Sequence, residues 1–344
     1  MGASPCAARR DCCPDRGVAG RAHLCAPGAC DSGHLRRAVT VGRFAPSPTG
    51  DLHVGSALAA LAAWASVRSQ GGRFLVRIED IDAPRVVRGA TTRQLAALQR
   101  LGLNWDGPVV QQSERGAAYD AALAFLAAQG RLFACRRSRR DLAKLASAPH
   151  GTHGPPYPAA WRTPPLSPEA LAGITDAAIR FRVESGLIRF VDRVQGEITE
   201  DVASTVGDVV LRRRDGVVAY QLAVVVDDVA QSVTEVVRGA DLLSSTARQI
   251  QIIEALGARV PAYAHVPLLV STSGDKLSKR DGALSVDALF DAGVTPEALV
   301  GWLAGLLGLD NMPRSVSDVA EAFHWSHVPR GPVVVPDDLA VRLT

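Results

Sequence analysis

Residues 41–80, VGRFAPSPTGDLHVGSALAALAAWASVRSQGGRFLVRIED, decide the fold. The apolar run at 41–45 reads as a short strand, and 46–56, with its prolines and glycines, as a turn-rich loop. An Ala-rich helix is expected over 57–70, stopped by Gly71 and Gly72, with a second strand at 73–80. Amphipathic helices follow from Thr91 and from Ser113, each expected to start on its own hydroxyl cap. Strand, helix, strand, helix at this spacing argues an α/β fold with a parallel sheet of βαβ units. Binding loops in such sheets lie at the carboxyl ends of strands, which is where 46–56 falls.

Beyond residue 135 the pattern breaks. Residues 136–175 join a basic run (Arg136, Arg137, Arg139, Arg140, Lys144) to a Pro-, Gly- and His-rich stretch, and read as an insertion with little regular structure. The basic run is equally a solvated helix face or a phosphate-contacting one. Residues 178–184, 187–194 and 209–226 read as strands, the last with a hairpin at Asp215-Gly216. A helix at 244–257, a strand at 265–270 and an apolar helical tail from 282 complete the chain.

The chain of 344 residues is 47% hydrophobic and 21% charged, which suits one large α/β domain with additions, or two domains. No stretch approaches the ~20 uninterrupted apolar residues of a spanning helix, so no membrane segment is read and a cytoplasmic protein is expected. Residues 1–40 carry the formal +3, residues 41–280 carry +6 and residues 281–344 carry −6. A basic middle before an acidic end suggests that polyanions meet the middle. Cys6, Cys12, Cys13, Cys25 and Cys30 crowd the first 40 residues, which have no clear apolar period and no C-x-x-C pair. That segment reads as a disordered leader or a mis-extended start.

Lysine usage is selective. Of 38 Lys and Arg residues only three are lysine, and two of them, Lys276 and Lys279, flank Leu-Ser in GDKLSKRDG at 274–282. A compact ammonium on a flexible stem suits a phosphate better than a surface ion pair requires. Two such groups can converge on one triphosphate as pyrophosphate leaves, with Gly274 and Gly282 as hinges. The loop with His53, Gly55 and Ser56 offers the complement. A helix N-terminus with free N–H groups attracts phosphate, His53 can donate to it, and glycine lets a nucleotide approach the backbone.

LHVGS at 52–56 and KLSKR at 276–280 resemble the HIGH and KMSKS signatures of class I aminoacyl-tRNA synthetases. RFAPSPTGDLHVGS, RIEDID and VVRGADLL are similar to glutamyl-tRNA synthetases in particular, and the likeness runs from about 41 to 285. It implies a Rossmann-like class I catalytic domain in halves 41–135 and 201–285, an inserted α/β acceptor-like subdomain at 136–200 and a short helical acidic tail at 286–344. It implies ATP, with Mg2+, held by Arg43, Phe44, Ala45, Pro46, Ser47, Gly55, Ser56 and Lys279, with His53, Lys276 and Lys279 as the catalytic group. It implies glutamate held by Arg43, Ser47, Glu79, Tyr220 and Arg238. Taken alone, Arg43 is equally an exposed strand-end residue, Glu79 a partner for Arg77 or a helix cap, and Tyr220 and Arg238 core edge and surface. No covalent nucleophile is expected from the protein, because activation needs positioning and charge stabilisation.

Only 64 residues follow Arg280, too few for the long anticodon-reading domains of full glutamyl-tRNA synthetases, and their charge is a poor platform for RNA. The nearer resemblance is to glutamyl-Q tRNA(Asp) synthetases, with Ile81 in RIEDIDAPR and Ser56 closing HVGS. That family activates glutamate without tRNA and attaches it to queuosine at the wobble position of tRNA(Asp); a monomer is implied. Its frequent zinc site, a C-x-C pair and a later Y-x-x-x-C, survives here only as Cys135 and Tyr157, with Arg137 and Trp161 in the other two places. A thiolate and a phenol do not make a tetrahedral site, so no zinc is expected unless His150 or His153 substitutes. The alternatives are a truncated conventional glutamyl-tRNA synthetase, a non-catalytic tRNA-binding paralogue, and, remotely, another nucleotidylyltransferase.

Overall fold

The computed structural model describes residues 39–143, 155–275, 277 and 284–344. The expectations for 1–38, for Lys144, for His150 and His153, and for Lys276, Lys279 and Arg280 lie outside the described residues.

Strands β1 (Val41–Phe44), β2 (Arg73–Ile78) and β3 (Val110–Gln111) form the first half of the main sheet. They are interleaved with helices α1 (Val54–Arg68), α2 (Ala90–Arg100) and α3 (Gly116–Ala128), which begins after β3. Strand β4 (Leu132–Cys135) and helix α4 (Arg139–Ala143) lead into the insertion. There follow α5 (Pro168–Ala172), β5 (Ala178–Phe181), the hairpin β6 (Ile188–Asp192) and β7 (Gly196–Glu200), α6 (Val202–Thr205) and β8 (Val209–Arg212). The chain returns through α7 (Tyr220–Ala230), β9 (Glu235–Gly239), α8 (Thr246–Ala255), β10 (Ala262–Val266) and β11 (Leu269–Val270). The tail is α9 (Val286–Asp291), α10 (Pro296–Leu306), α11 (Val316–Ala322), β12 (Val333–Val334) and α12 (Leu339–Leu343).

The main sheet runs β3-β2-β1-β9-β10-β6-β7. Every neighbouring pair is parallel except β6 and β7. A separate antiparallel sheet joins β5 of the insertion to β4 before it and β8 after it, while the β6–β7 hairpin of the insertion extends the main sheet. From β1 the chain moves outward through β2 and β3, then returns to β9 on the other side of β1. The strand order therefore reverses between β1 and β9, the position at which open α/β sheets hold ligands.

Twelve of the fifteen residues of α1 are buried, so this helix needs cover on more than one side. It packs on β1 and β9, and Gly42 makes that approach possible: a Cβ there would lie 2.5 Å from Val67 Cγ2. Tail helices α10 and α11 cover it elsewhere, and one continuous core joins Leu58, Leu61 and Trp64 to Leu299, Leu303, Val319 and Leu339. Strand β12 pairs in parallel with β11, adding a backbone tie.

Three local expectations are corrected. Residues 220–226 form the start of α7, not a strand, and only a single bridge, Arg212 with Val218, marks the expected hairpin. A run of Val favours a strand locally, but the helix here buries Leu222 to Asp228 against a second core, so tertiary packing overrides propensity. The hydroxyl caps of α2 and α3 are absent: their N-caps are Gly89, at φ 78, and Arg115. The strand at 265–270 is split at Pro267, whose missing N–H interrupts the ladder.

Candidate active site

A cleft of about 1170 Å³ opens at the β1/β9 reversal. Its walls include every described residue expected from the sequence: Arg43 to Ser47, His53, Gly55, Ser56, Glu79, Tyr220 and Arg238. Leu277, which stands between Lys276 and Lys279, lines it too, held by its backbone N–H donating to Leu269 O at 3.2 Å.

The first wall is the loop between β1 and α1. Its shape is set from α2, where buried Gln94 donates to the carbonyls of Ser47 and Gly50 at 3.2 and 2.6 Å. The N–H of Glu79 donates to Pro46 O at 2.9 Å, tying the loop to the end of β2. His53 caps α1: its Nδ1 accepts from the Gly55 N–H at 3.1 Å, which makes Nε2 the ring nitrogen able to donate. No acidic side chain occupies the first turn of α1, so the positive end of the helix faces the cleft uncompensated. A Cβ on Gly55 would meet only ordinary contacts, at 3.5 Å or more. The protein itself has room for a side chain there; the open space is left to a ligand.

Charged groups make the second wall. Arg43 on β1 is 3% exposed, not a solvated strand-end residue, and forks onto Asp228 of α7 at 3.1 and 3.4 Å. Arg77 on β2 is fully buried and reaches Asp228 at 2.7 Å, Gln231 at 2.7 Å and Glu79 at 3.4 Å. Glu79 is thus both a partner for Arg77 and a wall of the cleft. Burial pushes its carboxyl above the usual range against the pull of Arg77 and Arg43. Burial also works to raise Asp228, but the two arginines outweigh it and hold that carboxyl below its ordinary value. The neighbouring Asp227 accepts from Gln112, Tyr119 and Arg115 at 2.8, 2.8 and 3.0 Å, which fixes α7 against α3 and its approach.

Arg238 near the end of β9 is the third feature. Its Nε donates to His265 Nε2 at 3.0 Å, and its terminal nitrogens donate to Gln249, Thr246 and the Tyr220 hydroxyl at 2.8, 3.0 and 3.3 Å. Tyr220 accepts this bond, so its own proton remains to be donated. Burial raises the Tyr220 phenol, which therefore stays protonated. The arrangement offers two fixed guanidinium groups, one carboxylate and one hydroxyl, a set complementary to an amino acid with a second carboxylate.

The sequence reading missed Asp192, Asp228, Gln249, Thr246 and His265. A carboxylate pair closing the apolar run VVVDD was a visible sign of buried ion pairing. Asp192 and His265 sit in apolar strands with no local sign of a shared partner.

Cys135, Arg137, Tyr157 and Trp161 do come together. Tyr157 Oη donates to the Cys135 sulfur at 3.3 Å, Arg137 lies over the Trp161 ring at 5.1 Å, and Arg180 lies over Tyr157 at 4.0 Å. A thiol, a phenol, a guanidinium and an indole are not a zinc ligand set. Among the described residues no group of three or more His, Cys, Asp or Glu side chains is placed to hold a metal.

The family model for the catalytic domain of class I tRNA synthetases (E and Q) matches residues 39–321. A "Glutamyl-Q tRNA(Asp) synthetase" of Geobacter sulfurreducens is 50% identical over 276 residues, 79% of this chain and 85% of that one. Another of that name, from Symbiobacterium thermophilum, is 44% identical over 319 residues, 88% of this chain and 98% of that one. Among solved structures, a glutamate tRNA ligase from Elizabethkingia meningosepticum in complex with its amino acid superposes with a TM-score of 0.74 at 26% identity. The match covers 88% of this chain and 68% of that one.

Proposed function

This chain belongs to the class I tRNA synthetases of the E and Q type, within the glutamyl-Q tRNA(Asp) synthetase family, and on that premise we propose how its cleft works. The enzyme is a ligase of the aminoacyl-tRNA synthetase type that uses ATP, glutamate and tRNA. Arg43 and Arg238 take the two carboxylates of L-glutamate, Glu79 its ammonium, and Tyr220 donates its hydroxyl proton to the substrate. A carboxylate oxygen attacks the α-phosphorus of ATP, one P–O bond forms, another breaks, and pyrophosphate leaves. His53 and the N–H groups at the start of α1 hold phosphate, with Ser47, Gly55 and Ser56 shaping the floor. Lys276 and Lys279 neutralise the departing charge. Mg2+, if carried in on the ATP phosphates, would add charge neutralisation beside His53 and the two lysines, and such an ion keeps much of its water shell and does not need an all-protein cage.

Activation proceeds without RNA. In the second step the glutamyl group passes to a hydroxyl of the queuosine cyclopentenediol at the wobble position of tRNA(Asp), and AMP leaves. The protein acts in the cytoplasm as a monomer, and no helix among the described residues is long and apolar enough to cross a membrane.

The observation that carries this reading is the convergence of Arg43, Glu79, Tyr220 and Arg238 on the cleft that also holds the α1 N-terminus. ATP–pyrophosphate exchange with L-glutamate and no RNA tests it, and robust exchange is expected. Exchange that requires tRNA(Glu) would make the protein a shortened conventional synthetase, and silence in both conditions a non-catalytic paralogue.

A further inference from the structure

Arg238 has five N–H bonds, and four are already engaged by His265, Tyr220, Gln249 and Thr246. The orientation of its remaining donor is therefore set largely by His265, Gln249 and Thr246, which do not themselves line the cleft. The Nε contact is the most conditional of the four, because histidine accepts only at an unprotonated nitrogen.

Asp192 settles that condition. It lies at the end of β6, the strand through which the insertion joins the main sheet, paired with Tyr263 near the start of β10. Its Oδ1 accepts from three backbone N–H groups, of Val194, Gln195 and His265, at 3.0, 2.8 and 3.1 Å. Its Oδ2 lies 2.6 Å from His265 Nδ1. A carboxylate this well supplied with donors stays ionised, so the proton of the imidazole resides on Nδ1. Nε2 is then left as an acceptor for the Arg238 Nε–H, with the Thr246 hydroxyl 3.3 Å away. A cationic His265 would turn an N–H toward the guanidinium. Burial and the Arg238 charge hold the imidazole below its usual range, against the opposing pull of Asp192. Tyr263 stacks on the ring at 6.2 Å between centroids and completes the cage.

We infer that Asp192 and His265 are positioning residues: together they fix the Arg238 guanidinium for the substrate carboxylate, so that a residue of the insertion sets glutamate affinity from behind the site. The inference rests on the reading of Arg238 as a glutamate contact and deepens it. A displaced contact of this kind costs on the order of 10- to 100-fold.

The test compares the KM for glutamate and for ATP in pyrophosphate exchange for the whole chain and three variants. His265→Leu removes the acceptor, His265→Gln restores one through its amide oxygen, and Asp192→Asn faces Nδ1 with an amide that favours the wrong tautomer. The expected result is a glutamate KM raised ~10-fold or more in His265→Leu and Asp192→Asn, with the ATP KM within about 2-fold. His265→Gln should recover most of the loss, and melting curves should show all three folded. Equal rises in both KM values would overturn the inference. So would a Gln variant no better than Leu, or an unchanged Asp192→Asn. Variants that fail to fold while His265→Gln is normal in both KM and melting would still support the acceptor role. A wild-type protein with no glutamate-dependent exchange would instead overturn the reading of the cleft itself, and this inference with it.

Discussion

At the scale of single residues, Glu79 is the group whose chemistry is most exposed to test. Its carboxyl must be ionised to hold an ammonium, yet burial raises it above its usual 4.5, with Arg77 and Arg43 only partly offsetting that. Glutamate affinity should therefore fall as pH drops through a value above 4.5, where Glu79 takes up a proton. Glu79→Gln should raise the glutamate KM by about 10- to 100-fold at neutral pH, the range for losing a hydrogen bond to a charged partner. It should also flatten that acid limb. A Gln variant that keeps both the affinity and the limb would remove Glu79 from the site. Lys279 carries a parallel expectation argued from the sequence: Lys279→Ala should lower adenylation at least ~100-fold in exchange assays, the effect of losing one preorganised charge contact. Near-normal exchange would exclude it from phosphate binding.

Secondary-structure elements bring the charges together. Helix α7 delivers Asp228 to both Arg43 and Arg77, and Asp227 to Arg115 and Tyr119, so one helix orders the charged wall of the cleft and is itself anchored to α3. Removing the Asp228 carboxylate leaves two buried guanidinium groups without their shared counter-ion. Asp228→Ala should cost about 3–5 kcal/mol in urea denaturation, and a loss below ~1 kcal/mol would show that the pair is dispensable. The pH dependence has a definite sign. The folded carboxyl titrates below its ordinary 3.8, so its contribution is complete above that pH and is lost as pH falls through the lowered folded value. This helix is also where local reading failed. AYQLAVVV has the β-branched content of a strand, and the helix's seven buried residues, Leu222 to Asp228, are helical because the element has α3, α8 and β8 to pack against. By contrast β1, α1 and β2 were legible, since a short apolar run, an Ala-rich run and a Gly-Gly stop are all local signals.

The whole molecule adds the tail. Its acidic composition made it a poor RNA platform, and the structure gives it packing work: α10 and α11 cover α1, whose N-terminus opens on the cleft. Trp325 donates to Ser66 of α1 at 3.1 Å, and Ser66 donates in turn to buried Glu235 at 2.5 Å. Leu303→Ala, at a site 1% exposed, should cost about 2–5 kcal/mol by leaving a cavity beside α1, read as a lowered urea midpoint. A midpoint within error of wild type would show that the tail rests on α1 without stabilising it.

By itself the sequence determined the chemistry on offer. The 46–56 loop and the lysine pair could be read from it because turn residues and motif spacing act over a few neighbours, whereas Glu79, Tyr220 and Arg238 were singled out only by the resemblance of their motifs to a known family. Tertiary structure alone decided which of those groups are buried, what pairs with each, and which hidden side chains aim them. Arg43 and Asp228 are 185 positions apart, and His265 and Asp192 are 73 apart. Whether such residues meet is settled by sheet order and packing, and the energy of a charge depends on the partner and the dielectric that those bring to it.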